Sequence, residues 1–391
     1  MRHEGESIAG ESVMRGPMAR PIILAAGGTA GHFFPAEALA GELIARGHRV
    51  VLFTDARTGV PKAGVFAGRE CFVIPGAGLA GRGPWRGIAA IARLVGGVLA
   101  ARRLFARLRP SALVAFGGYP AVAPVLAARF LRPRPPVLLH EQNAVLGRAN
   151  RFLVRRATAL AVSFPATQRL PPGVTPSFTG NPVRPAIAAL AGTPYAPAGA
   201  ADEIRLLVLG GSLGARVMSD VVPGALALLP DPLRARLRLA QQCRAEDLAR
   251  VRDAYRRSGI AAELAPFIAD LPARLSAAHL VIARAGASTV AELAALGRPA
   301  ILVPLPSAID DHQTANARAL EAAGGALLMA EAGLSADSLA AALAALLGDP
   351  ARLRVMATGA AALGRVGAAA LLADLTEHHL APDQAGMERV R

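Results

Sequence analysis

The chain has 391 residues, 53% hydrophobic and only 4% aromatic, with 43 basic against 28 acidic side chains and a net charge of +15. A single core seldom serves that length, so two domains are expected, and the charge favours an anionic partner. Nucleic acid is excluded for want of basic stretches interleaved with aromatic platforms. Two cysteines, Cys71 and Cys243, are too few for a disulfide framework or a thiolate zinc site and fit a reducing cytoplasm, while the lone lysine, Lys62, has neither P-loop nor pyridoxal-phosphate context.

Residues 1–19 mix His3, Glu4 and Glu6 with Gly and Ser; they have no apolar signal core and are expected to form a disordered tail. From residue 20, apolar runs of strand length at 22–26, 50–53, 71–74, 112–115 and 137–139 alternate with helical spacing near 35–46, 86–108 and 148–156. Parallel strands joined by helices follow, an α/β domain over 20–185. No clean apolar run reaches the ~20 residues needed to span a bilayer; the longest uncharged one, 110–128, is broken by Gly117, Gly118, Pro120 and Pro124. The Pro/Ala/Gly-rich segment 186–201 reads as a linker. Strands at 204–209, 235–240, 280–283 and 300–303 then alternate with helices near 215–228, 246–257, 289–296 and 311–323, a second domain over 202–360, and helices continue from Ala336 to the end.

Both halves begin with the same device. Gly27-Gly28-Thr29-Ala30-Gly31 follows the run Ile22–Ala26, and Gly210-Gly211-Ser212-Leu213-Gly214 follows Leu206–Leu209. Glycines directly after a strand let the backbone approach a ligand, and the next helix aims its unpaired N–H groups at an anion there. Such a turn also serves plain packing, so either copy alone is ambiguous. A third turn, Arg284 to Thr289, leads from a strand into a helix; the N–H groups of Ala287, Ser288 and Thr289 can face a diphosphate, and Glu292, one turn on, can accept ribose hydroxyls or merely complement the helix dipole. Asp310-Asp311-His312 is contiguous, so its side chains diverge and do not form a metal cage. His32 opens a helix beside the first glycine turn, placed to take a proton from a hydroxyl or only to bond the backbone. His140-Glu141-Gln142-Asn143 emerges at the carboxyl edge of a sheet, where ligands bind in open α/β folds.

Residues 79–110 contain seven arginines and no acidic residue. Ile91, Leu94, Val98, Ala101, Phe105 and Leu108 form one helical stripe flanked by Arg93, Arg102, Arg103 and Arg107, with Trp85 upstream. The stripe can face the sheet as a crossover helix must, while the arginines and the segment around Trp85 touch anionic lipid.

Gly27–His32, Phe116-Gly117-Gly118-Tyr119-Pro120, His140–Ala144, Thr179-Gly180-Asn181-Pro182-Val183-Arg184, Gly210–Ala215, Arg284–Thr289 with Glu292, and His312-Gln313 with Asn316 together resemble the MurG family of bacterial glycosyltransferases, in the family's order over roughly residues 20–375. The resemblance implies a GT-B fold, two Rossmann-like doubly wound domains facing a central cleft, with a terminal helix within 361–391 packing back on the first. It implies inverting transfer of N-acetylglucosamine from UDP-N-acetylglucosamine to undecaprenyl-diphosphate-N-acetylmuramoyl-pentapeptide (lipid I), without a metal or other cofactor. The expected place is the cytoplasmic face of the inner membrane, peripherally bound to an anionic surface, with other cell-wall enzymes as further partners. Acceptor-side or catalytic candidates are His32, the first choice of base, with Tyr119, His140 and Glu141. Donor-binding candidates are Thr29, Gly31, Asn143, Arg184, Ser212, Arg284, Ala287, Ser288, Thr289, Glu292, Gln313 and Asn316, and Gly28, Thr29 and Gly31 are candidates for the acceptor diphosphate. Two departures stand out: His312 where the family carries Gln, and Gln241-Gln242-Cys243-Arg244 where a His-Gln-[Thr/Ser]-Gly turn is usual. The alternatives are a UDP-N-acetylglucosamine epimerase on the same fold and a non-catalytic UDP-sugar-binding protein.

Overall fold

The computed structural model describes residues 19–76, 84–211 and 214–380, with the backbone alone for 84–88. In the first domain the strands are β1 (Ile22–Ala25), β2 (Val50–Thr54), β3 (Cys71–Val73), β4 (Ala112–Ala115), β5 (Val137–Glu141), β6 (Ala159–Val162) and β7 (Ser177–Phe178). The helices are α1 (Ala30–Ala45), α2 (Pro84–Leu108), α3 (Gly118–Ala128), α4 (Arg148–Leu153) and α5 (Pro185–Ala188). The second domain has β8 (Ile204–Leu209), β9 (Leu237–Gln242), β10 (Ala261–Ala265), β11 (Leu280–Ala283), β12 (Ala300–Leu302) and β13 (Ala326–Leu328). Its helices are α6 (Arg216–Ala227), α7 (Asp231–Arg234), α8 (Leu248–Arg257), α9 (Leu271–Ala277), α10 (Ala287–Leu296), α11 (His312–Ala322), α12 (Ala336–Leu347) and α13 (Pro350–Leu363), and α14 (Ala368–His378) follows.

Every strand pairing is parallel. The seven-stranded sheet runs β3-β2-β1-β4-β5-β6-β7 and the six-stranded one β10-β9-β8-β11-β12-β13. In each, the first strand of its domain sits inside the sheet and the chain leaves it in one direction before returning to the other side. The crevice this creates at the strand's carboxyl end is the natural ligand site of an open α/β sheet. Both glycine turns sit at such a crevice, one after β1 and the other after β8.

Both sheets are covered on two faces, which explains strands that read as unbroken apolar runs. Ile23 and Ala25 of β1 face one core with Ala101 and Phe105 of α2 and Ala121 and Val125 of α3. Ile22 and Leu24 face the other with Leu39 and Leu43 of α1 and Leu372 and Ala373 of α14. Burying each such Leu, Ile or Phe contributes ~1.5–3 kcal/mol. Helix α14 therefore belongs to the first domain's core although it lies at the end of the chain. Arg46 after α1 fastens it through Nη1 to Asp374 at 2.6 Å and to Glu377 at 2.7 Å.

Several elements depart from the sequence reading. Helix α1 starts at Ala30, not near 35, because Pro35 removes only one intrahelical bond. The 110–128 run, read as broken, holds α3: Pro120 lies in the first turn, where its missing N–H would have no partner anyway, and Pro124 sacrifices one bond. Strands β6, β7, β10 and β13 were missed because they are short and Ala-rich, or have two or three residues. Strand β9 runs to Gln242, so Gln241 is a strand residue buried against the Tyr255 hydroxyl. The 350–378 stretch is apolar enough in composition to cross a membrane. It is divided by Gly364–Gly367 into two helices of 14 and 11 residues, each laid on a core. The α2 stripe splits: Ala101, Phe105 and Leu108 are buried, whereas Ile91 is exposed and continues an outer ridge with Val95 and Leu99. Arg82 lies outside the described residues, as do the side chains of Trp85 and Arg86.

Candidate active site

The first glycine turn is held from below. Gly28 adopts φ +78° and donates its N–H to Thr58 Oγ1 at 2.9 Å and Asp55 Oδ1 at 3.3 Å. A Cβ at Gly27 would meet Asp55 Oδ1 and Thr54 Oγ1 at 2.8 Å, so glycine there is a packing requirement. Thr29 precedes α1, and the first-turn amides of Ala30 and Gly31 have no intrahelical acceptor. A cleft of about 250 Å³ lined by Gly28, Thr29, Ala30, Phe33, Phe34, Arg57 and Thr58 opens here. It is where Gly28, Thr29 and Gly31 were expected to meet an acceptor diphosphate.

His32 stands at this rim with Nδ1 2.9 Å from Thr29 Oγ1. Burial holds its imidazole below the ordinary 6.5; Glu141 pulls it up and His312, from the other domain, pushes it down. The ring is therefore neutral near pH 7, and in the tautomer that places Nδ1–H on Thr29 Oγ1 its Nε2 can accept a proton. Gly118, from the Gly-Gly-Tyr-Pro turn, backs onto this ring, and Tyr119 lies beside Gly28.

His140 and Glu141 are placed differently from the expectation. His140 is fully buried, its Nε2–H donating to Gly180 O at 3.0 Å and its Nδ1 accepting from Gln142 at 2.9 Å. Burial takes its pKa down to about 4. Glu141 is 3% exposed, and Oε1 accepts from the backbone and side-chain N–H groups of Asn143. Its Oε2 accepts from Gly147 N and Asn150 Nδ2, both at 2.9 Å. Neither residue offers a free proton-transfer atom to the cleft. They shape the loop that carries Asn143, and Glu141 supplies negative charge behind His32. The bracing pair Gln142 and Asn150 went unassigned from sequence; a polar side chain ten residues after His140, on a helix that must pack inward, was the available signal.

In the second domain, Gly286 precedes α10 with no side-chain cap, leaving the amides of Ala287, Ser288 and Thr289 directed at the cleft end of the helix. Ser288 Oγ is buried and has no hydrogen-bond partner among the described residues. Gly211 takes φ +83°, matching Gly28. Ser212 lies outside the described residues. Arg244 covers this turn with its aliphatic stem: a Cβ at Gly214 would come within 2.7 Å of Arg244 Cγ, and the guanidinium pairs with Glu246 at 2.8 Å.

Arg284 does not reach the cleft. It is 8% exposed and braces the turn from behind, donating to the carbonyls of Val303 and Pro304 at 3.1 and 3.0 Å and pairing with Glu331 at 2.6 Å. Glu292 is buried, and both of its oxygens are taken by Arg184. Asn316 is fully buried and joins the domains, accepting from Ala144 N at 2.8 Å and donating to Asn143 Oδ1 at 3.1 Å. Gln313 accepts from Leu305 N at 3.0 Å, which leaves its NH₂ group as a ligand donor. His312 Nδ1 donates to Ile309 O at 2.7 Å. The arrangement sets an imidazole on one wall and an uncapped helix N-terminus on the other.

Comparison with known proteins fits this geometry. Residues 22–162 match the glycosyltransferase family 28 N-terminal domain and residues 205–372 its C-terminal domain. The chain belongs to glycosyltransferase family 28, in its MurG branch. A relative from Granulibacter bethesdensis is 59% identical over 361 residues, 92% of this chain and 94% of that one. Another from Acidiphilium cryptum is 52% identical over 378 residues, 97% and 100% of the two chains. Both are named UDP-N-acetylglucosamine--N-acetylmuramyl-(pentapeptide) pyrophosphoryl-undecaprenol N-acetylglucosamine transferase. The crystal structure of Acinetobacter baumannii MurG superposes with a TM-score of 0.74 at 30% identity, covering 92% of this chain and 99% of that one. The family assignment establishes the two-domain GT-B fold and glycosyltransferase activity.

Proposed function

We propose that this chain transfers N-acetylglucosamine from UDP-N-acetylglucosamine to the lipid-linked N-acetylmuramoyl-pentapeptide, with inversion at the anomeric carbon. The full-length relatives bear that activity in their names. The observation that carries the reading is His32, whose imidazole stands at the cleft rim with Nδ1 2.9 Å from Thr29 Oγ1 and Gly118 against its ring. His32 takes the proton of the acceptor sugar's hydroxyl as that oxygen bonds to the anomeric carbon. The bond from that carbon to the diphosphate oxygen breaks, and UDP leaves with the electron pair. The charge growing on the diphosphate meets the Ala287, Ser288 and Thr289 amides and the Ser288 hydroxyl, dipoles already fixed in place. His32 then returns its proton to solvent.

An acceptor held in a bilayer requires a docking face, and the outer ridge of α2 suits it. Ile91, Val95 and Leu99 are 59%, 52% and 47% exposed at four-residue spacing, with Arg102 and Arg103 exposed beside them. Apolar side chains in the headgroup region with guanidinium groups on anionic lipid give the two weak signals that reversible peripheral binding needs. The membrane concerned is the inner one, at its cytoplasmic face. UDP release from UDP-N-acetylglucosamine, measured with and without the lipid-linked acceptor, tests the reading: release only with acceptor is expected, and release without it, or none with it, rejects transfer.

A further inference from the structure

The turn that leads into α11 is tied to the first domain at both ends. At its far end Asn316 bonds Asn143 and Ala144. At its near end Asp310, two residues before His312, sits among three arginines of the first domain. Arg151 Nη2 lies 2.7 Å from Asp310 Oδ2, Arg169 Nη1 2.6 Å from Oδ1, and Arg148 Nε 3.6 Å from Oδ2. The carboxylate is only 13% exposed; desolvation pushes it up, but the hydrogen bonds and positive charges of Arg169 and Arg151 together hold it below its ordinary value. Asp310 and Asp311 both take left-handed backbone angles, φ +56° and +53°, a conformation uncommon outside glycine that the surrounding contacts must maintain.

Those arginines are not on free-swinging loops. Arg148 and Arg151 are on α4, whose Asn150 is bonded to Glu141. Arg169 follows Gln168, whose backbone pairs with Ala144 and Leu146 of the Asn143 loop. Asp310 thus grips the same unit that lies behind His32. Such a link has little worth as a surface ion pair, but it fixes the distance between base and sugar turn. Misplacing reacting groups by about 1 Å can cost 10²-fold in rate.

We propose that Asp310 is a positioning residue for transfer. By closing on Arg151 and Arg169 it holds the His312–Gln313 turn at the separation from His32 at which the donor's anomeric carbon meets the acceptor hydroxyl. This rests on the transferase reading. It acts on turnover and leaves nucleotide binding untouched, because the α10 amides and Glu292 lie outside the clamp.

The test uses the full chain, Asp310→Asn, Asp310→Glu and the pair Arg151→Gln/Arg169→Gln, each first shown to melt cooperatively. Asp310→Asn and the arginine pair should each lower kcat by about 10–100-fold with the UDP dissociation constant within about twofold of wild type, and Asp310→Glu should recover part of the rate. Combining Asp310→Asn with the arginine pair should cost little more than either alone, since all remove one link. Unchanged kcat in folded Asp310→Asn, UDP affinity that falls in step with kcat, or multiplicative losses in the combination would each overturn the clamp. Hydrogen exchange reads it without turnover: amides of 305–316 should exchange faster in both variants, and unchanged exchange overturns the clamp even if transfer is established. A wild-type chain that releases no UDP with acceptor rejects the transferase reading instead, and is recognised as such because it involves no variant.

Discussion

Arg184 grips Glu292 through two parallel hydrogen bonds, Nε to Oε1 at 2.7 Å and Nη2 to Oε2 at 2.9 Å. Arg184 closes the Asn-Pro-Val-Arg segment at the end of the first domain and lies over the Phe34 ring at 5.3 Å, whereas Glu292 is on α10 of the second. Burial pushes the Glu292 carboxyl above its usual value, and Arg184 pulls it back toward ionisation. The two oxygens a ribose would need are the two that Arg184 holds. On the proposed reading, ribose hydroxyls would either share these oxygens with the guanidinium or exchange with it at one of them, since each carboxylate oxygen can accept more than one hydrogen bond.

That contact sets the first expectation. Glu292→Ala should weaken UDP binding by roughly 1.5–3 kcal/mol, about 10–100-fold, through loss of a charge-assisted acceptor. Glu292→Gln, which keeps one acceptor oxygen, should lose less. Titration calorimetry decides it: unchanged UDP affinity in a folded Glu292→Ala protein removes the ribose role.

A base must be unprotonated to act, and burial holds His32 below 6.5. The acid limb of the kcat profile is accordingly expected below pH 6.5, with a plateau above it. His32→Ala should lower kcat by ~10²–10⁴ and leave UDP affinity close to wild type, since the donor rests on the other domain. An acid limb centred at or above 6.5 would point to another group.

The parts of this site legible in the sequence were those set by backbone chemistry. Glycine turns after β1 and β8 and the small-residue turn before α10 are local patterns, and local patterns survive in a string of letters. What was not legible was direction. His140 and Arg284 bear functional groups that sequence places near the ligand edge, yet the fold turns both inward, where carbonyls satisfy them. Asp310 carried no role in the sequence beyond a contiguous acidic pair that makes no metal cage, because its three arginines come from residues 148–169 and only tertiary structure brings them together. Proline misled in the opposite sense at α3, where Pro120 falls in the first turn and Pro124 gives up a single helical bond.

The buried His140 makes acid stability a measurable consequence. Its pKa is about 4 in the folded chain and 6.5 when exposed, so below pH 6.5 the unfolded chain binds a proton that the folded chain refuses. Stability from this group is complete above 6.5 and is lost as pH falls toward 4, by up to about 3 kcal/mol. Urea unfolding at pH 7 and pH 4.5 should show a smaller loss in His140→Asn than in wild type. Equal losses in the two proteins would show that His140 does not carry this acid sensitivity.

The α2 ridge gives the last expectation, and it separates docking from chemistry. Ile91, Val95 and Leu99 point away from the core that Ala101 and Phe105 fill, so replacing them removes no packing the first sheet depends on. Inserted side chains contribute roughly 25 cal/mol per Å² of apolar surface withdrawn from water, and each arginine near an anionic surface about 1 kcal/mol. Sedimentation with vesicles rich in anionic lipid should fall at high salt, and fall further with Ile91→Ser, Val95→Ser and Leu99→Ser combined. The same triple variant should release UDP to a short-chain, water-soluble acceptor at a rate within about twofold of wild type, because nothing in the ridge touches His32, α10 or the donor turn. Vesicle binding indifferent to both salt and the substitutions would move the docking face elsewhere on the first domain, and a matching loss of rate with the soluble acceptor would mean that the ridge supports the fold and has no part in docking.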